Sequence, residues 1–247
     1  MRLLVLSDIH ANIDALDAVL AAAPRSTWDR LIVLGDFVGY GAAPNGVLDR
    51  VRLLDPLAVI RGNHDKAACG IDDGSSFNQI ARYAAAWTGD ALTPENRTYL
   101  RALPMGPVLV GDDLEICHGS PFDEDHYIFD SGDALQALEV TRRPLCLFGH
   151  THLPVLFAKS TETLDLVVPE GNDPDTVVLL PGVRYLVNPG SVGQPRDGDP
   201  RAGFATYDSD TRTLQLRRAA YPVDAAQRRI IAAGLPASLA NRLAIGR

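Results

Sequence analysis

Thiolate chemistry is largely excluded at the outset: the 247-residue chain has three cysteines, Cys69, Cys117 and Cys146, none in a C-x-x-C pair. That scarcity argues against a disulfide framework and a cysteine zinc site, and suits a reducing, cytoplasmic setting. Long apolar runs are missing too. The opening MRLLVLSDIHAN turns polar after four apolar residues, and no segment approaches the ~20 that span a bilayer, so neither export nor membrane insertion is expected. Positive charge is also in deficit, with 23 Lys and Arg against 31 Asp and Glu, a formal net charge of −8. Duplex nucleic acid is therefore repelled at long range, whereas a small anion in a local pocket remains compatible.

What is present is a hydrophobic fraction of 46%, ample for a buried core. Histidine is scarce at six residues, yet two stand one residue apart in FGHTH, Phe148 to His152. That placement repeats a pattern. Five apolar blocks, LLVLSDIH, LIVLGDF, AVIRGNHD, LEICHGS and LCLFGHTH, each end in a small or polar residue followed at once by metal-binding side chains. Helical spacing between them, with Ile13, Leu16, Val19 and Leu20 after the first and Val47, Leu48, Val51 and Leu54 after the second, makes the blocks strands of an α/β unit. Asn12 and Asn45 are the expected N-caps. Ligand-binding groups then gather outside the carboxyl ends of the strands.

Two helices are expected between Ser76 and Leu103, split at Thr93-Pro94. The blocks LDLVV, TVVLL, RYLVN, FATYD and TLQLRRA predict a second, more antiparallel sheet, and the tail predicts two helices broken at Gly234-Leu235-Pro236. GYGAAP, Gly39 to Pro44, lacks the last glycine of a dinucleotide fingerprint and reads as a turn.

Residues i and i+2 of an extended segment point the same way, so Asp8 with His10, and His150 with His152, can each converge. With Asp36, Asn63 and His118 the inventory is carboxylate, imidazole and one amide oxygen. Such a set suits borderline divalent ions, and seven donors fit two metals sharing a carboxylate better than one.

The ordered series DIH, GD, GNHD, H and GHTH resembles the calcineurin-like metallophosphoesterase superfamily over residues 8 to 152, and NPGSVGQPRDGDPRAGFATYD with AAGLP resembles its compact bacterial and archaeal members. The resemblance implies one domain over 1–247, a four-layer αββα sandwich of two mixed β-sheets flanked by helices, with the metals at the carboxyl ends of the strands. It also implies that Asp8, His10 and His152 hold one metal, Asn63, His118 and His150 the other, and that Asp36 bridges them. His64 is then a non-ligand beside the substrate, stabilising the transition state or protonating the leaving oxygen, with Asp65 orienting its ring.

The activity so implied is hydrolysis of phosphoesters by metal-bound hydroxide, with two transition-metal ions, Mn first and Fe, Zn, Ni or Co as alternatives. A phosphodiesterase acting on a small soluble substrate is the leading expectation, because no cap insertion or basic stripe for a polymer is evident. A phosphomonoesterase like the protein Ser/Thr phosphatases, a bis(nucleosyl) tetraphosphatase and a catalytically silent metal-binding scaffold are the alternatives. Around the metals, Asn188, Ser191 and Arg196 are candidates for the substrate cleft, with structural turn as the other reading of 188–201, and Arg196 or Arg201 could pair with phosphate. Tyr40 and Asn45 are candidates for leaving-group contact. His126 reads as a surface histidine, and the acidic, aromatic FDEDHYIFD is a candidate patch for a partner or a second copy.

Overall fold

The computed structural model describes every residue except Asn172. The first half runs β1 (Arg2–Leu6), α1 (Ile13–Ala22), β2 (Arg30–Val33), α2 (Pro44–Leu53), β3 (Ala58–Val59), α3 (Asn63–Cys69), α4 (Gln79–Ala91) and α5 (Pro94–Ala102). Next come β4 (Val108–Val110), β5 (Leu114–Ile116), α6 (Ser131–Val140), β6 (Leu145–Leu147), β7 (Val155–Lys159) and β8 (Leu164–Val167). The chain closes with β9 (Asp175–Val178), β10 (Arg184–Asn188), β11 (Ala202–Asp208), β12 (Thr213–Ala219), α7 (Val223–Ala232) and α8 (Ala237–Leu243).

Two six-stranded mixed sheets result, ordered β3-β2-β1-β11-β12-β9 and β4-β5-β6-β10-β7-β8. Strand alternation explains the four layers. Leu3 and Val5 of β1 face the second sheet, sharing a buried cluster with Ile32, Leu147, Val187 and Leu216. Leu4 and Leu6 point the other way, into a cluster with Leu16 and Val19 of α1, Val47 and Val51 of α2, and Ile230 and Leu239 of the tail helices. On the far side, Cys117, Cys146, Phe148 and Leu186 pack against Ala134, Ala137 and Leu138 of α6. Strands covered on both faces read as unbroken apolar runs, which is the form of the five blocks.

Three expectations are corrected. The C-terminal strands form no sheet of their own: β11 pairs antiparallel with β1 and β12 and β9 continue the first sheet beyond it, while β7, β8 and β10 extend the second. Both faces of β10 and β11 are largely apolar, so each sits inside a sheet already covered on both sides. Asn45 is not a cap. Helix α2 starts at Pro44, and Asn45 instead gives its Nδ2 hydrogen to Ala91 O and accepts from Thr93 N and Asn96 Nδ2, joining α2 to the α4–α5 turn. Finally, the GNHD turn opens directly into α3. Elsewhere Asn12 caps α1, Thr93 caps α5, and the tail breaks between α7 and α8 as expected.

Candidate active site

The loops after β1, β2, β3, β5 and β6 meet at one edge of the two sheets. They interlock through the backbone: Asp8 N donates to Gly35 O at 3.1 Å, His10 N to Asp36 O at 2.9 Å, Gly149 N to His118 O at 2.8 Å and Gly193 N to Asp8 O at 2.9 Å. The local conformation is not the extended one expected from the i, i+2 argument. Asp8, His10, Asp36, His150 and His152 all lie at positive φ, between +48° and +69°, a region that costs an L-residue about 1–2 kcal/mol. Five such residues in one place are maintained only because the surrounding bonds over-determine them, as happens at functional sites. Convergence of the pairs is thus real, but it arises past the strand ends. Two glycines of the motifs are needed for space: a Cβ on Gly62 would overlap the Asp36 carboxylate, and one on Gly149 would overlap Ser7 Oγ.

The donor atoms form two clusters sharing Asp36. Those of Asp8, His10, Asp36 and His152 lie within 4.8 Å of one another, as do those of Asp36, His118 and His150. Asp36 Oδ2 stands 3.5 Å from both His10 Nε2 and His118 Nε2, and Asn63 Oδ1 is 3.3 Å from His118 Nε2.

Hydrogen-bond accounting tests whether metal fits. His10 Nδ1 faces Val38 O at 3.1 Å and His152 Nδ1 faces Gln194 O at 2.6 Å. Carbonyls only accept, so each Nδ1 carries the hydrogen, and burial holds both rings well below the usual histidine range, hence neutral. Both Nε2 atoms are therefore bare lone pairs, yet they face each other at 3.0 Å. Two acceptors at that distance need a cation. His118 also faces a carbonyl, with Nδ1 on Leu34 O at 2.8 Å, whereas His150 gives its Nε2 hydrogen to Asp125 O at 3.1 Å and leaves Nδ1 as donor atom.

The carboxylates agree. Burial, with the Asp36 charge added, pushes Asp8 up to about 7. Burial opposes the charge of Asp36 as well, but His118, His64 and His10 hold it well below the carboxylate range, and Asp36 in return raises His118 to about 10 against burial. Positive charge beside Asp36 favours its ionised form, and the donor set suits a divalent ion.

His64 lies beside these clusters without joining either. Its main-chain N–H donates to Asp36 Oδ1 at 2.9 Å, its ring packs between Tyr40 and Phe77 with centroids 4.3 and 4.6 Å away, and its Nδ1 is buried without a hydrogen-bond partner. Burial pulls it down to about 4 despite Asp36. Asp65 does not orient this ring. Adjacent residues in a helix diverge, and Asp65 turns back to accept from Gly62 N at 2.9 Å and Val38 N at 3.2 Å, tying α3 to the β2 loop.

Of the other candidates, Asn188 and Ser191 are fully buried and committed. Asn188 donates to Gly149 O and Thr151 Oγ1 and accepts from Gly190 N. Ser191 donates to Asp8 O and accepts from Gln194 N. Both brace the loops that carry the donor clusters and have no side-chain hydrogen left to donate to a phosphate. Arg201 pairs with Asp199 and Gly171 O. Arg196 and Tyr40 do reach the cleft, the guanidinium 6.0 Å from the Tyr40 ring centre and that ring 4.7 Å from His10.

Sequence reasoning missed the loop 121–130 as part of the site. Arg61 holds Glu124 through two 3.0 Å bonds, and buried Lys66 holds Glu124 at 3.0 Å and Asp125 at 2.6 Å. This places Asp125 O on His150 and stacks Tyr127 on the His150 ring at 3.7 Å and 23°. The only available sign was an acidic, aromatic run with a lone Lys after GNHD. His126 is partly exposed, 3.4 Å from Asp133 and away from the clusters. Asn63, His150, Phe77 and Tyr127 line an open cavity of about 200 Å³.

The family model for the calcineurin-like phosphoesterase superfamily domain matches residues 1–212. The crystal structure of a metallophosphoesterase from Sphaerobacter thermophilus superposes with a TM-score of 0.87 at 38% identity, covering 100% of each chain. An uncharacterized protein of Methanocaldococcus jannaschii is 33% identical over 245 residues, 98% of this chain and 97% of that one. The phosphodiesterase YfcE of Escherichia coli is 25% identical over 226 residues, 87% of this chain and 91% of YfcE.

Proposed function

The chain belongs to the calcineurin-like phosphoesterase superfamily and is a metal-dependent phosphoester hydrolase; from that premise we propose that residues 1–247, as one domain, use two divalent ions to cleave phosphodiesters of small soluble molecules. Asp8, His10 and His152 would hold the first ion, Asn63, His118 and His150 the second, and Asp36 both. The observation that carries this reading is the pair of bare Nε2 atoms of His10 and His152 at 3.0 Å. Ions held there supply Lewis acidity toward phosphoryl oxygens and a lowered pKa for the attacking water.

The protein's own groups do the rest. His64, neutral because it is buried, acts by donating an N–H hydrogen bond to charge developing on phosphoryl or leaving oxygen, rather than as an imidazolium acid. Tyr40 and Phe77 fix its ring plane. Lys66 and Arg61 hold the 121–130 loop so that Asp125 O keeps the His150 hydrogen on Nε2. The open cavity beside Asn63 and His150 gives room for a second ester arm, and the name of YfcE as a phosphodiesterase supports the same preference. Mn is the proposed metal, and three free, buried cysteines suit a cytoplasmic location.

The test is hydrolysis by metal-stripped protein reloaded with Mn, on bis-p-nitrophenyl phosphate, p-nitrophenyl phosphate and diadenosine tetraphosphate in parallel. Fastest diester cleavage supports the proposal. Preference for the monoester or the tetraphosphate keeps the metal centre and replaces the substrate class, and no metal-dependent turnover on any of the three overturns the reading.

A further inference from the structure

The stacking that begins at a donor histidine does not end with Tyr127. Tyr127 lies on the His150 ring at 3.7 Å, and Phe129 in turn lies parallel to Tyr127, at 5.1 Å and 6°. The two rings border different spaces. Tyr127 lines the cavity beside Asn63 and His150, whereas Phe129 lines a second one of about 260 Å³ with Ile128, Leu153, Val155, Leu166 and Val168. Thr151, which stands between His150 and His152 in the chain, belongs to the wall of that second cavity too. The apolar cavity therefore starts at the loop that carries two donor histidines.

Its walls come from three separate segments: the 121–130 loop held by Lys66 and Arg61, the start of β7 directly after GHTH, and the end of β8 with the residues that follow it. Helix α6 covers Cys146, Phe157 and Leu186 on that face of the second sheet. Leu166 lies opposite Phe157 in the β7–β8 pair and so points to the same face, yet Phe129, Leu166 and Val168 stay 62%, 52% and 64% exposed. Concave, contiguous apolar surface of this kind marks a binding site. Size decides the occupant. A stable contact with a second copy of the chain needs about 800 Å² from each partner, far more than these three side chains expose. A volume just below the ~300 Å³ at which pockets take a whole drug-sized ligand suits one ring-sized group, and continuity with the donor histidines points to a molecule bound there. Asp197, on the same wall, is already paired with Arg218 and does not call for a cation.

We infer that this cavity receives an aromatic or compact apolar group at the end of one ester arm, which crosses the Tyr127–Phe129 pair while the phosphoryl group sits at the donor clusters. The inference rests on the phosphodiesterase reading and narrows its substrates to diesters with at least one such arm. Phe129 supplies a ring face for stacking, and Leu166 and Val168 supply the opposite wall.

The probe is a ruler. Phosphonates with one to five methylenes between phosphorus and a terminal phenyl ring are compared, each with the plain alkylphosphonate of the same chain length, as inhibitors of the Mn-loaded enzyme hydrolysing bis-p-nitrophenyl phosphate. At one length the ring should tighten inhibition about ten- to hundredfold, the worth of burying one phenyl group. Leu166→Ser with Val168→Ser, at exposed positions that the fold does not depend on, should bring that ratio close to one, and Phe129→Leu should keep part of it. A wild-type ratio near one at every length, with hydrolysis intact, overturns this inference alone, as does an advantage that survives the two serines. If that ratio of one comes with a dimer in sedimentation that the two serines dissociate, the face belongs to a second copy instead. Absence of hydrolysis overturns the phosphodiesterase reading and this one with it.

Discussion

The carboxylate of Asp36 caps the helix that carries His64: Oδ1 accepts the His64 main-chain N–H at 2.9 Å, while Oδ2 stands 3.5 Å from both His10 and His118. One side chain therefore fixes the shared edge of the two donor clusters and the position of the histidine beside them.

The two duties separate by substitution. Asp36→Asn retains an Oδ1 acceptor for His64 but loses the charge, so binding of both ions should weaken and turnover fall by orders of magnitude with the fold kept. Asp36→Ala should also lower stability, by about 1 kcal/mol or more for an unmade buried hydrogen bond. Metal content and thermal denaturation of the two variants check this; equal metal occupancy in wild type and Asp36→Asn would remove the bridging role.

His64→Ala should leave both metals bound and reduce turnover about 10²–10⁴-fold, the usual worth of a positioned hydrogen-bonding or acid-base group. Metal analysis of the purified variant is the control. An emptied metal site would reassign His64 as a ligand.

Lys66→Met removes the cation that joins α3 to Glu124 and Asp125. The 121–130 loop should then release His150, and affinity for the second ion should drop about 10–100-fold, as when an outer partner of a metal-binding histidine is lost. Stoichiometric Mn titration should show one tight and one weakened site. Two unchanged sites would mean that the loop only covers the centre.

The same contact should open in acid. Burial opposes the Glu124 charge, but Arg61 and Lys66 outweigh it and hold the carboxyl below its usual 4.5. A depressed acid stabilises the folded arrangement above its unfolded value and loses that contribution as pH falls through the folded one, so the window lies below about 4.5. Amide exchange in residues 121–130 of metal-free protein should accelerate there before exchange in β1 or β11 does; simultaneous acceleration would show that the loop has no separate acid-sensitive contact.

Several parts of the fold were legible because local chemistry decides them. Thr93-Pro94 specifies a helix start wherever it occurs, Asn12 caps α1, and strands covered on both faces must be apolar throughout. The distribution of the last six strands between two sheets was not legible, since any apolar strand pairs equally well with several edges, and only the finished packing selects β11 beside β1 and β10 beside β6. Asn45, Asn188 and Ser191 are instructive in the same way. Each is a polar residue that reads from the sequence as part of a turn, and only the structure shows that its side-chain hydrogens are given to neighbouring segments of the chain.

The sequence by itself determined which side chains stand at the site, because ligand type and order along the chain are covalent facts: Asp8, His10, Asp36, Asn63, His118, His150 and His152 follow strand ends at fixed places. Only the tertiary structure decided how they converge. Left-handed backbone at five of them is unfavourable in isolation and persists through bonds from distant loops, while the lone pairs of His10 and His152 face each other only because carbonyls of Val38 and Gln194 claim their hydrogens. Phe129, Lys66 and Tyr127 acquire their places the same way, since contacts between residues far apart in the chain depend on packing that no local signal encodes.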